Sequence, residues 1–173
     1  ETAAFEFASL HEVLERVGDA ATSLVLVLDH VTDPGNLGAA VRSADVAGAD
    51  AVIVPGRRTA AVNSVAFKAA AGALAHMPLV QETNLARTLE TLKAAGYWVA
   101  GADADAETLV WDAEMNGRLA IVVGAEGEGL SRLLKERCDF LVRLPVAGHV
   151  DSLNVAQAAS VLAFEWVRRT SRG

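Results

Sequence analysis

Residues 23–55 read SLVLVLDHVTDPGNLGAAVRSADVAGADAVIVP, and this stretch decides the fold. Its two ends, SLVLVLD (23–29) and AVIVP (51–55), are continuous apolar runs. Unbroken runs, as opposed to alternating ones, mark strands buried on both faces of a parallel sheet covered by helices. Between them lies an Ala-rich segment of helical composition, from about Leu37 to Ala47, so the unit is strand, loop, helix, strand. The loop of Asp33, Pro34, Gly35 and Asn36 runs straight into that helix, which carries Arg42. Polar groups at a helix start usually cap it, and this loop alone implies no chemistry.

The same rhythm continues outward. A helix is expected from about Asn63 to Leu74, a short strand near MPLVQ (77–81), and a helix from Leu85 to Ala95 ended by Gly96. Strand YWVAGA (97–102) follows, then a polar segment holding Trp111, strand LAIVVG (119–124) and a short helix at 130–136. Strand FLVRLP (140–145) and a last helix from about Asn154 to Arg169 complete the chain. The expected fold is α/β, a doubly wound parallel sheet, and such sheets put ligand sites outside the carboxyl ends of their strands. Three loops there are rich in Gly and polar residues: 32–38, 124–129 and 145–154. The core domain is read as residues 23–173. Residues 1–22, where FEFASLHEVLERV reads as one amphipathic helix or a tether, are expected to lie peripheral to it.

Of 173 residues, 52% are apolar and 21% charged, enough for one well-filled core. The formal charge of −7 disfavours general nucleic-acid binding by phosphate neutralisation, so any RNA site must be local. The basic residues do gather in three places: Arg57 and Arg58; Arg132, Lys135 and Arg137; and Arg168, Arg169 and Arg172. Cys138 is the single cysteine, which excludes an internal disulfide, and no Cys/His cluster has zinc-site spacing, so no metal is expected. No apolar run approaches the roughly 20 residues of a membrane helix, and Glu1 to Leu10 do not resemble a signal peptide. A cytoplasmic location away from membranes is expected. Because the chain opens on Glu1, it is read as a fragment or processed product.

Loop GAEGEG (124–129) has the order G-x-x-G-x-G, not the G-x-G-x-x-G of dinucleotide sites. Glu126 and Glu128 would also repel a pyrophosphate, so the loop suits a flat adenosine without phosphates. Loop PVAGHVDSLN (145–154) crowds His149, Asp151, Ser152 and Asn154 before the last helix, where Ser152 or Asn154 is placed to cap. There is no G-x-S-x-G elbow and no Cys-His pair for covalent catalysis. Asp29, Asp33 and Asp45 are weighed as an acidic metal site, but an i, i+3 pair of Arg42 with Asp45 is the plainer reading.

Taken together, DPGNLGAAVRSAD (with Asn36, Gly38 and Arg42 as N-x-G-x-x-x-R), VVGAEGEGL and LPVAGHVDSLNVAQAA resemble, in order and spacing, the three motifs of the SpoU (TrmH) family. These are RNA 2′-O-ribose methyltransferases of the SPOUT superfamily that use S-adenosyl-L-methionine. The resemblance covers about residues 24–169 and is nearest the branch acting on a guanosine of 23S ribosomal RNA. It implies a deep C-terminal trefoil knot around the methyl donor, one of the rare exceptions to unknotted topology. It further implies that Val123, Gly124, Glu126, Gly127, Leu144, Val146, Ser152 and Leu153 hold the cofactor, largely through backbone groups. Asn36, Arg42, Glu126, Ser152 and Asn154 would form the catalytic neighbourhood. The family acts as a homodimer with sites near the interface, which puts Arg42 within reach of a cofactor on the other subunit. Residues 5–22 resemble the tether to an N-terminal RNA-binding domain. Two departures are visible, Ala156 where the family usually has Ser and Val146 where Met is common. The competing readings are a methyltransferase for transfer RNA and a non-enzymatic nucleotide- or RNA-binding module.

Overall fold

The computed structural model describes residues 4–125 and 127–171. Six strands form one parallel sheet: β1 (Ser23–Asp29), β2 (Ala51–Pro55), β3 (Leu79–Glu82), β4 (Trp98–Ala102), β5 (Arg118–Gly124) and β6 (Phe140–Val142). Their order across the sheet is β3-β2-β1-β5-β4-β6. The helices are α1 (Leu10–Val17), α2 (Pro34–Val46), α3 (Ser64–Ala70), α4 (Leu85–Ala94), α5 (Arg132–Arg137) and α6 (Val155–Thr170).

All seven residues of β1 are buried, and its side chains divide by the period of two. Leu24, Leu26 and Leu28 enter a core shared with α2, α3 and α6. Val25 and Val27 enter a second core shared with α1, α4 and α5. This two-sided burial is why the strand sequence shows no alternation.

From β1 the chain winds through β2 to β3, then crosses over to build β4 and β5, so the winding direction reverses between β1 and β5. These two strands run in register from Ser23 beside Arg118 to Asp29 beside Gly124. The loops that follow them therefore start side by side at the switch point, the usual ligand crevice of such a sheet.

Several boundaries differ from the sequence expectation. The first long helix begins at Pro34, not Leu37, because Asp33 caps it and proline's fixed φ suits the first helical position. The helix expected to reach Leu74 stops at Ala70, since Ala71 turns left-handed (φ 49°), and a 3-10 turn covers Ala73–Ala75. The FEFASLHEVLERV segment is not one helix: Ala8 bridges Val80 beside β3, and only Leu10–Val17 is helical. Leu10, Val13 and Val17 are buried in the second core, so this segment is packed into the unit and not peripheral to it. The last strand ends at Val142, after which Arg143 makes only a single bridge to Leu109. No helix is long and apolar enough to cross a membrane.

Candidate active site

The switch point is built outward from Asp29. This carboxylate is buried at the end of β1, where Oδ2 accepts the Ser131 backbone N–H at 3.1 Å and Oδ1 lies 2.6 Å from His30 Nδ1. Asp29 thus ties β1 to the start of α5 and is committed to structure.

Four residues on, Asp33 Oδ2 accepts the Asn36 N–H at 2.7 Å. That capping bond sets Asn36 in the first turn of α2, inside the helix and not at its mouth as the sequence suggests. Its side chain reaches across to the motif that follows β6: Asn154 Nδ2 donates to Asn36 Oδ1 at 3.0 Å. Asn154 Oδ1 in turn accepts the Ala156 N–H at 2.9 Å, so one amide caps α6 and pins it to α2. Ser152, the other capping candidate, is exposed and does not cap.

Gly38, which the motif places between Asn36 and Arg42, is a packing residue. A Cβ there would lie 2.2 Å from the Ala66 carbonyl oxygen, so α2 and α3 reach their close approach only with glycine at this point. Arg42 is about two turns into α2 and exposed. The expected pair with Asp45 does not form, and among the described residues Arg42 makes no ion pair. With no described partner holding its guanidinium on the α2 surface, the fork is free to meet an anion.

The second motif closes β5. Gly129 N–H donates to the Ala125 carbonyl at 2.9 Å, and Gly127 (φ 79°) and Gly129 (φ 65°) are left-handed within that tight turn. A Cβ on Gly124 would sit 2.1 Å from the Gly129 oxygen, so only glycine lets the loop fold back on the strand. Val123 is buried, its side chain in the core; Glu126 lies outside the described residues.

The third motif leaves β6 and runs without regular structure to Asn154. Leu144 is half-buried against the larger core, while Val146 (53% exposed), Val150 (77%) and Leu153 (46%) face outward. Val146, Val150 and Leu153, held open in the loop between β6 and α6, suit a ligand with a flat apolar face such as an adenosine, and so fit the cofactor that the motifs imply. Burial pushes the Cys138 thiol up to about 12, and its Sγ donates to the Leu134 carbonyl at 3.1 Å; it is not a nucleophile near neutral pH. Among the described residues no group of three or more His, Cys, Asp or Glu is placed to hold a metal.

Sequence reasoning missed the Asn36–Asn154 bond, whose partners are 118 residues apart. It also missed the Asp29 tie and the packing role of Gly38, although a glycine inside an Ala-rich helix was a signal of close approach.

The SpoU rRNA Methylase family matches residues 23–164. A Pseudomonas putida protein named 23S rRNA (guanosine-2′-O-)-methyltransferase RlmB is 52% identical over 160 residues, covering 92% of this chain and 64% of that protein. A Staphylococcus haemolyticus protein, named for the TrmH family of tRNA/rRNA methyltransferases, is 45% identical over 168 residues, covering 96% of this chain and 68% of that one. The SpoU methyltransferase AviRb from Streptomyces viridochromogenes, solved with the cofactor AdoMet, superposes with a TM-score of 0.82 at 31% identity, covering 98% of this chain and 66% of that one. The chain thus spans about two thirds of the length of these relatives. With its three motif loops gathered at one end of the sheet and the family matched from β1 into α6, the chain belongs to the SpoU rRNA methylase family.

Proposed function

We propose that this chain is the catalytic part of an S-adenosyl-L-methionine-dependent methyltransferase acting on a ribose 2′-hydroxyl of RNA, a guanosine of 23S ribosomal RNA in the first instance. The observation that carries the reading is the Asn154–Asn36 hydrogen bond, which couples the first motif to the third where β1 and β5 end. The similarity to the P. putida enzyme favours the ribosomal substrate. The S. haemolyticus relative's name includes transfer RNA, which makes that the second substrate to try.

In this reading residues 23–173 are the catalytic domain, and residues 1–22, although α1 packs into its second core, resemble a link to an RNA-binding domain. Gly124, Gly127, Leu144, Val146, Ser152 and Leu153, with Val123 and Glu126 beside them, hold the cofactor. When bound, it supplies a methyl group on a positively charged sulfur. Methyl transfer to a hydroxyl is an in-line displacement, so the protein's main work is to hold the reacting oxygen in place. Asn36 and Asn154, which fix one another, and Ser152 border that position. A guanidinium group only donates hydrogen bonds and has no lone pair to take a proton, so Arg42 is not assigned as the base. It grips an RNA phosphate and lowers the hydroxyl pKa electrostatically. Glu126, if placed on the sulfonium, would stabilise the ground state, and its part is to order the loop or the RNA.

A trefoil knot is the topology we infer at the C-terminus. It is supported by the path of the chain: β6 lies at the sheet edge outside β4, yet α6 packs back over β1 and β5 at the centre. A homodimer with the site near its interface follows from the family resemblance, as does action in the cytoplasm.

Titration with S-adenosylmethionine, NAD and ATP separates an enzyme from a binding module: binding of the first alone is expected, and binding of the others alone contradicts the reading. Methyl transfer from labelled donor to 23S ribosomal RNA against transfer RNA then assigns the substrate. Arg42→Lys is expected to lower turnover at saturating RNA by about tenfold or more, because charge remains but the fork is lost.

A further inference from the structure

The sequence gathers its cations in three clusters, and in two of them the described members are paired with carboxylates. Arg168 and Arg169 both close on the Glu165 carboxylate, at 2.7 and 2.9 Å. Arg132 pairs with Glu136, Lys135 with Asp103 and Arg137 with Glu90. Arg57 and Arg58, on the loop after β2, are exposed and make neither an ion pair nor a side-chain hydrogen bond among the described residues.

These two arginines line a cavity of about 500 Å³ at the carboxyl ends of β1, β2 and β3, between α4 and α5. His30, Asn84 and Ser131 also face it. The one acid among its lining residues is Asp29, which is buried and already bonded to His30 and Ser131. Among the described residues that line it, the cavity therefore offers cations and amide groups with no exposed carboxylate. Its rim also holds two of the three non-glycine residues with left-handed backbone among the described residues, His30 (φ 57°) and Arg58 (φ 53°). Backbone held in that region costs free energy and recurs where a loop is shaped for a ligand.

The cavity opens on the same end of the sheet as Asn36, but against the α4 and α5 face. RNA is a polymer, so nucleotides on either side of the one being methylated must cross this end of the molecule. A protein of net charge −7 has to hold them with local cations. We propose that the Arg57–Arg58 cavity is a subsite for the phosphodiester backbone of the RNA strand flanking the methylated nucleotide. This rests on the reading of the chain as an RNA methyltransferase.

The test uses the chain, an Arg57→Ala/Arg58→Ala variant and an Arg16→Ala control. Arg16 lies at the opposite end of the sheet, where it bonds the Asp50 carbonyl ahead of β2. Affinity for S-adenosylmethionine is measured by calorimetry, and affinity for a 23S ribosomal RNA transcript by filter binding over a salt series. The double variant is expected to lose RNA affinity by about tenfold or more, with a salt slope shallower by roughly 0.7 for each phosphate that is no longer neutralised. Its cofactor affinity stays within about twofold of the parent, and the control moves neither quantity. RNA affinity in the double variant equal to the control's overturns the subsite. Inorganic phosphate is the second probe: phosphate binding that disappears in the double variant while RNA affinity holds assigns the cavity to a small anion and also overturns it. Absence of S-adenosylmethionine binding in the parent overturns the methyltransferase reading instead, and the RNA arm still decides the cavity.

Discussion

The two ends of the Asn36–Asn154 bond belong to regions of opposite character. Asn36 sits on α2, a thirteen-residue helix whose Leu37, Gly38, Ala40, Val41 and Ala44 are buried and whose start is fixed by Asp33. Asn154 ends a loop in which residues 145–153 are all exposed, including Val146, Val150 and Leu153. One region is set by packing before any ligand arrives. The other keeps apolar surface in water, which costs free energy until something covers it. The half bearing Arg42 is therefore set by packing alone, and under the proposed function the exposed half would be completed by the cofactor.

Substitutions that break this contrast differ in size. Gly38→Ala should be the most damaging, at least about 2 kcal/mol by denaturant unfolding, because its Cβ meets the Ala66 backbone at 2.2 Å and neither helix can yield cheaply. An unchanged midpoint would show that α2 and α3 are not locked.

Next is the anchor of α6. Glu165 is buried, and its hydrogen bonds from Arg168, with burial opposing and Arg169 adding, hold its carboxyl below the usual glutamate range. The unfolded carboxyl therefore takes up a proton at higher pH than the folded one. The stabilisation is complete above the ordinary glutamate pKa and is lost as pH falls through the lowered value. Glu165→Gln should cost about 1.5–3 kcal/mol at neutral pH and flatten this acid limb in a pH series of melting curves.

Asn154→Ala follows, at about 1–2 kcal/mol, since it removes both a cap and the tie to α2. A double-mutant cycle with Asn36→Ala should return about 0.5–1.5 kcal/mol of coupling, and none if the bond is incidental. Smallest is Leu153→Ala: within about 0.5 kcal/mol of parent stability, as expected for an exposed loop residue, yet with roughly fivefold weaker S-adenosylmethionine binding in calorimetry. A stability loss larger than the affinity loss would mean that this loop is held by the fold after all.

How far the sequence reveals this arrangement depends on the range of the interaction. The unbroken run SLVLVLD announces a strand buried on both faces, and all seven of its residues are buried. The strand at FLVRLP is half as long as it reads, because its apolar residues continue past the point where a neighbour remains to pair with. Asp33-Pro34 marks the true start of α2, and Asn63, Asn84 and Ser131 cap three later helices through bonds that span two or three residues. The motif residues were visible as types at a spacing. What tied them together was not, since Asn36 meets Asn154 and Asp29 meets Ser131 only once the strand order is fixed. Nor does charge patterning distinguish Arg57 and Arg58 from the other clusters, because the acids that neutralise Lys135 and Arg137 are distant in the chain.

Hydrogen exchange with and without saturating S-adenosylmethionine tests the central claim most directly, since it reads both halves of the site at once. New protection is expected at residues 124–129 and 144–153, with the amides of α2 already protected and unchanged. Protection appearing in α2 alone, or nowhere despite saturation, would contradict a preformed first motif completed by a cofactor-ordered third.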